Sequence, residues 1–133
     1  MNQIKDIFVL RAKRFGIYHC TTNCTLKEAA ALLTERNISS LVITASNGEL
    51  EGIITRTDLV RACYERDDWA QRRVREYMNT NVVTVQLDDT LGDVMELLID
   101  QHIHRVVAIR EEEGRIIPIG ILSAADVVYH MAQ

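Results

Sequence analysis

Most of the features that announce a chemistry are missing from this chain of 133 residues. Its three cysteines, Cys20, Cys24 and Cys63, are an odd and scattered set that makes no disulfide framework. Cys20 and Cys24 are the close pair, but no second pair and no suitably spaced histidines complete a zinc site. Buried or half-buried free thiols are the expected state. The spacing shows no glycine-rich phosphate loop, nucleophile triad or metal-ligand cluster, so neither a catalytic constellation nor a required cofactor is expected. Near the N-terminus the apolar run is only Ile7-Phe8-Val9-Leu10, too short for a signal-peptide core. No segment approaches the length needed to span a bilayer, so a cytoplasmic protein without membrane contact is expected. Positive charge is not in excess either. A formal net charge of −4 argues against bulk nucleic-acid binding, which needs a cationic surface. A small anionic ligand needs only a few local cations and stays open.

What the chain does have is a repeat. Thr25-Leu26-x-x-Ala29-Ala30-x-Leu32-Leu33 returns as Thr90-Leu91-x-x-Val94-Met95-x-Leu97-Leu98, and Ile38-x-x-Leu41-Val42 returns as Ile103-x-x-Val106-Val107, each 65 positions on. Gly52-Ile53-Ile54-Thr55-x-x-Asp58-Leu59 returns 68 positions on as Gly120-Ile121-Leu122-Ser123-x-x-Asp126-Val127. The second copy therefore carries three extra residues before its glycine, around Glu111-Glu112-Glu113-Gly114. A repeat fixes the architecture before any residue has a role. Apolar residues make up 47% and charged residues 26%, the balance of a globular protein and not of a disordered one. Half the chain would be marginal as a domain, so the two copies are expected to share a core.

Leu26, Ala29, Ala30 and Leu33 keep the spacing of one helix face, as do Leu91, Val94, Met95 and Leu98. The runs 41–44 and 106–109 are short and β-branched, which predicts strands. A second strand follows at 52–54 and at 116–122, then a second helix near 57–65 and 124–131. Shorter strands are expected at 17–20 and 82–85. Ser46-Asn47-Gly48 reads as a turn, and 111–115 as a longer, solvated polar loop. A lead-in also repeats: Ile4-Lys5-Asp6-Ile7-Phe8 is similar to Val74-Arg75-Glu76-Tyr77-Met78. The charged stretch from Glu65 to Arg73 is the connector, and Trp69 within it is expected to pack half-buried. The division is a first repeat at 1–66, a connector at 67–73 and a second repeat at 74–133.

The doubled Gly-h-h-Thr/Ser-x-x-Asp-h, with h apolar, resembles the cystathionine-β-synthase (CBS) domain, and nearly the whole chain resembles a tandem CBS pair, or Bateman module. The second copy is the closer match: Ile103-His104-Arg105-Val106-Val107 and Gly120 to Asp126 are similar to the phosphate- and ribose-contacting segments of the γ subunit of AMP-activated protein kinase. The resemblance implies an α/β (α+β) fold of two β-α-β-β-α units related by a pseudo-twofold, their sheets packed together, with Leu33, Leu41, Val42, Leu98, Val106 and Val107 buried. It also implies two clefts between the units that take an adenosine-containing ligand: AMP, ADP or ATP first, NAD or S-adenosylmethionine after them. One site would combine Asp126, Ser123 and Ile121 with Ile38, Ser39 and Tyr18. The other would combine Asp58, Thr55 and Ile53 with Val83, Ile103 and His104, and Arg105 would supply phosphate charge.

The residues themselves support two readings. Thr55 and Ser123 lie where a strand turns into a helix, so each can cap that helix with the aspartate three residues on, without any ligand. The same helix start can hold a ligand anion, and a carboxylate there can accept from a ribose diol. Arg56 lies one place too early for the arginine that commonly precedes the family's aspartate, which speaks against it as a phosphate ligand. Arg105 offers a permanently charged fork, while His104 adds charge only when protonated. The alternative for both is a solvated strand end. The first copy has small, uncharged Ser39-Ser40 there, so the copies are unequal. His102 reads as an exposed helix-end residue, and His19 and His130 have no evident partners.

A non-catalytic regulatory module that senses an adenine nucleotide and signals to another protein in trans is the leading expectation. A purely structural dimerisation module without ligand is the alternative, and a nucleotide hydrolase comes last for want of a base or metal cluster. The resemblance also implies a homodimer through the helices after the Asp motifs, where Val60, Ala62, Cys63, Val128 and Met131 look exposed.

Overall fold

The computed structural model describes residues 3–13 and 16–133. The elements run α1 (Val9–Ala12), β1 (His19–Thr21), α2 (Leu26–Arg36), β2 (Ser40–Thr44), β3 (Leu50–Thr55), α3 (Arg56–Glu65), β4 (Thr84–Gln86), α4 (Leu91–Asp100), β5 (Arg105–Glu112), β6 (Arg115–Ser123) and α5 (Ala124–Met131). Two 3-10 turns, Trp69–Gln71 and Val74–Glu76, lie between α3 and β4. From β1 to α3 and from β4 to α5 the order is β-α-β-β-α, as the repeat requires.

The repeat produces two three-stranded sheets of one topology. β1 runs parallel to β2 and β2 antiparallel to β3; β4, β5 and β6 do the same. The register is also matched. Val42 faces Ile53 in the first sheet and Val107 faces Ile121 in the second. Each antiparallel pair carries a bulge just before its glycine, leaving Glu51 and Ile119 as the extra residues.

The chain divides into two compact units that do not follow the repeats. One is Tyr18–Val82; the other joins the N-terminal segment, up to Ile17, to Val83–Gln133. The lead-ins explain this. Val9 N–H donates to Asp89 O (2.8 Å) and Leu91 N–H to Ile7 O (2.7 Å), so the first lead-in docks beside the start of α4. Val74 N–H donates to Cys24 O (2.9 Å) and Leu26 N–H to Arg72 O (2.8 Å), so the second docks beside the start of α2. Each lead-in thus completes the unit of the other repeat. These bonds equate Val9 with Val74, at the 65-residue spacing of the helices and not the 70 of the Ile4–Val74 match. Alternating charged and apolar residues fit several registers; the backbone pairing admits one.

Buried side chains form one apolar cluster in each unit. Leu26, Ala29, Leu33, Leu41, Ile43, Ile54, Ala62 and Val74 make one; Val9, Ala12, Val85, Leu91, Val94, Val106, Ala108, Leu122 and Val127 make the other. Leu33, Leu41, Val42, Val106 and Val107 are buried as expected, while Leu98 is half-buried against its cluster. Trp69 and Cys20 and Cys24 pack half-buried against the first cluster, and all three cysteines are free. Cys63 is exposed on α3. Ala62, expected on the surface, is fully buried.

The polar loop expected at 111–115 is strand. β5 continues to Glu112, β6 begins at Arg115, and Glu112 pairs with Arg115. Glu113 and Gly114 alone make the turn, with φ of 52° and 79°. Two positive φ angles are the mark of a two-residue I′ hairpin, whose twist suits the flanking strands. Within the Glu run, Arg110 pairs with Glu112 (3.3 Å) along one strand face. No helix among the described residues is long and apolar enough to cross a membrane.

Candidate functional site

Four helices begin in the same way. The N–H of Thr25, Thr55, Thr90 and Ser123 each donates to a carboxylate three residues on: Glu28 (3.3 Å), Asp58 (2.8 Å), Asp93 (2.9 Å) and Asp126 (2.8 Å). Thr55 Oγ1 also donates to Asp58 Oδ2 at 3.0 Å and accepts from Asp58 N–H at 3.3 Å, completing the box; at Ser123 the hydroxyl lies 3.5 Å from Asp126 Oδ2. The box satisfies helix-start donors that have no intrahelical partner. The Thr/Ser-x-x-Asp motif is therefore a folding device at every site where it occurs.

Burial separates the four. Glu28 and Asp93 are exposed, whereas Asp58 is half-buried and Asp126 is buried, at 6% exposure. A carboxylate held away from water on the positive end of a helix interacts more strongly with whatever approaches. In Asp58 the Oδ2 serves the cap and the Oδ1 lies 3.4 Å from Arg61 Nη1. Arg61 is a partner that the sequence reading missed, although its i,i+3 spacing could have shown it.

In each unit the strand starts meet the Asp motif at one end of the sheet. In the Tyr18–Val82 unit, Tyr18 O accepts from Val42 N–H (3.3 Å), Ser39 O accepts from Arg56 N–H (3.1 Å), and Ser40 faces Thr55 across β2 and β3. Ile38 is half-buried, Ile53 is buried and Ser39 is exposed. In the other unit, Val83 O accepts from Val107 N–H (2.9 Å), and Arg105 faces Ser123 across β5 and β6. Directly opposed residues share a sheet face, so the half-buried Arg105 stands beside the cap of α5. Ile103, Val83 and Ile121 are half-buried there, and His104 is exposed. His104, placed with Asp58 by the resemblance, lies in the unit of Asp126.

Several histidine readings change. His19 Nδ1 lies 3.2 Å from Thr44 Oγ1, and His130 Nε2 lies 2.8 Å from Ala12 O, so both have partners. These contacts span 25 and 118 positions, and no local spacing signals them. His102 is exposed, as expected, and takes a left-handed φ of 53°, matching Asn37 at 51° at the end of α2. Two arginines were also missed as a feature of the first sheet end. The Arg36 guanidinium lies 5.1 Å from the Tyr18 ring centroid, and Arg56 Nη2 reaches Asn37 Oδ1 at 3.5 Å.

The family model described as CBS domain matches the chain twice, over 5–65 and 74–133. An uncharacterized 17.7 kDa protein of Acidianus ambivalens is 31% identical over 83% of this chain and 64% of its own length. The uncharacterized protein MJ1232 of Methanocaldococcus jannaschii is 27% identical over 84% of this chain. The chain spans 35% of MJ1232 and 64% of the Acidianus protein. Among solved structures, the CBS-domain containing protein ATU1752 from Agrobacterium tumefaciens superposes with a TM-score of 0.77 at 29% identity, over 93% of this chain and 98% of that one. The CBS domain pair of protein MJ0100, solved with 5-methylthioadenosine and S-adenosyl-L-methionine, gives 0.79 at 25% identity, over 94% and 95%. With both β-α-β-β-α repeats matched by the family and the fold shared along nearly the full length, the chain belongs to the CBS domain family as a tandem pair of repeats.

Proposed function

We propose that this chain is a non-catalytic regulatory module that binds an adenosine-containing nucleotide and passes its occupancy to a partner protein in trans. AMP, ADP or ATP rank ahead of NAD and S-adenosylmethionine. The observation that carries the reading is the pairing, at one sheet end, of the buried Asp126 on its helix start with Arg105 directly across from Ser123. A carboxylate suits a ribose diol and a guanidinium fork suits phosphate. The adenosine ligands bound by the MJ0100 pair support the class of ligand. The second Asp motif, with Thr55 and Ile53, is the weaker ribose site, because Asp58 is only half-buried where Asp126 is buried. The units of duplication we propose are 1–66 and 74–133, joined by 67–73.

Calorimetry with adenosine, AMP and ATP tests this. Asp126→Ala should weaken all three by one or two charge-assisted hydrogen bonds, about 1.5–3 kcal/mol each. Arg105→Ala should weaken ATP more than adenosine. Unchanged affinities in both variants would overturn the site. An unmodified protein that bound no adenine ligand at millimolar concentration would leave the structural module as the function. The exposed Val60 and Tyr64 on α3 and Val128 and Met131 on α5 support a homodimer through these helices.

A further inference from the structure

The two repeats carry basic residues at the same sheet end but at different positions. His104 and Arg105 open β5, and the matching residues at β2 are Ser39 and Ser40. Conversely, Arg36 in the last turn of α2 matches Gln101, and Arg56 at the start of α3 matches Ala124. Each repeat thus brings two basic side chains to this end, by exchanging which positions supply them.

Arg36 and Arg56 differ in their company from most arginines of the chain, although Arg73 and Arg75, held by Asn23, also lack a carboxylate among the described residues. Arg61, Arg66, Arg72, Arg110 and Arg115 each lie within ion-pair distance of a carboxylate. Among the described residues neither Arg36 nor Arg56 does; they touch only the Tyr18 ring and the Asn37 amide. Asp58, two residues beyond Arg56, is engaged by the Thr55 cap and by Arg61 instead. The Tyr18 face holds Arg36 by cation–π attraction without neutralising it. Arg56 is anchored at its backbone by Ser39 O and at its head by Asn37, which directly follows Arg36. Two guanidinium groups, one ending α2 and one starting α3 and linked through Asn37, therefore have no carboxylate partner among the described residues, in a chain whose net charge is −4.

Against the reading of Arg56 from its place in the motif, and because its head is held beside Asn37 at the end of α2, we propose that Arg36 and Arg56 are the phosphate contacts of the Tyr18–Val82 unit, so that its sheet end binds a nucleotide chiefly through a di- or triphosphate and only weakly through ribose. The nucleoside part rests on the adenosine reading above; the polyphosphate part does not. The matching repeat supplies a substitution that the fold already accommodates, Arg36→Gln with Arg56→Ala. In the full chain carrying Arg105→Ala, which removes the other unit's phosphate fork, calorimetry would be run with tripolyphosphate, ATP and adenosine. The Gln/Ala pair should weaken tripolyphosphate and ATP about tenfold or more, the worth of one charge-assisted hydrogen bond, and leave adenosine unchanged. Should that variant fail to fold, Arg36→Lys with Arg56→Lys decides the same question, because losing the fork should weaken ATP and spare adenosine. Tripolyphosphate binding that disappears with the arginines, in a protein that never binds adenosine, would sustain this inference and defeat the adenosine reading. Tripolyphosphate and ATP affinities that ignore both substitutions, or a parent protein that binds neither, would overturn it.

Discussion

Gly52 opens the first Gly-Ile-Ile-Thr-x-x-Asp motif, and its glycine answers to the backbone. A Cβ built there would lie 2.9 Å from Asn79 O and 2.9 Å from Met78 Sδ. The Met78 thioether is the end of a flexible side chain and can swing aside. Asn79 cannot, because its carbonyl accepts from Ile53 N–H (3.0 Å) and its N–H donates to Ile53 O (2.8 Å). Gly52→Ala must push the 78–79 segment outward and stretch both bonds. Overpacking of this kind costs about 1–3 kcal/mol, and alanine's lower chain entropy returns at most about 1 kcal/mol. The net loss should be about 1–2 kcal/mol, which for a chain of this size lowers Tm by roughly 3–10 °C. Urea denaturation should show a lower midpoint with an unchanged slope. Adding Met78→Ala to the variant should not restore the midpoint, since the carbonyl is the obstacle. A Gly52→Ala protein as stable as the parent, or one rescued fully by Met78→Ala, would refute the account. Nucleotide affinity measured well below the melting temperature should change little, because the glycine serves the crossing segment.

The thiols should label in order. Exposed Cys63 reacts first with a disulfide reagent, while Cys20 and Cys24 react only as the chain opens. Burial, together with Cys24 and Glu28, pushes the Cys20 thiol far above its ordinary range, and burial raises Cys24 as well. More than one fast equivalent per chain would contradict this. The same shifts have a sign for stability: the unfolded thiols ionise above about pH 8.5 while the folded ones keep their protons, so stability should fall as pH rises beyond that value. A denaturation midpoint flat from pH 8 to 10 would count against it. For assembly, sedimentation at micromolar concentration should give a species of twice 15.2 kDa that Val60→Glu with Val128→Glu splits. A parent protein that sediments as a single chain would remove the dimer.

The architecture was legible because the repeat and two periodicities agree. The helical faces at Leu26–Leu33 and Leu91–Leu98 and the β-branched runs at 41–44 and 106–109 fix helix and strand order without any distant contact. What escaped the sequence depends on distance along the chain or on one special dihedral. The docking of Val9 beside Asp89 and of Val74 beside Cys24 joins residues some 50 to 80 positions apart, and nothing local in either lead-in names its host. Residues 111–115 of the β5–β6 hairpin read as loop from their glutamates, which are poor strand formers, yet Glu113-Gly114 is all the turn that the strands need. At the candidate site, Thr55, Ser123 and their aspartates were legible as caps from spacing alone. Arg36 was not, since its position over Tyr18 joins the end of a helix to the residue before β1.

On the proposed reading, ligand specificity would not reside in the motif that identifies the family. The same carboxylate-to-cap bond starts α2, α3, α4 and α5, so its presence at Asp58 and Asp126 is explained by helix formation before any ligand is considered. What differs between these four sites is burial of the carboxylate and the basic residues nearby. Asp126 is buried with Arg105 opposite its cap, which favours holding ribose and phosphate together. Asp58 is half-buried and engaged by Arg61, while Arg36 and Arg56 stand close by without a carboxylate, which favours charge over ribose. The two repeats share the scaffold and differ in the residues around each cap. On the proposed nucleotide reading, two sites of unlike character on one fold should rank nucleotides differently by phosphate number. A module built in this way can respond to the ratio of two nucleotides and not to the amount of one.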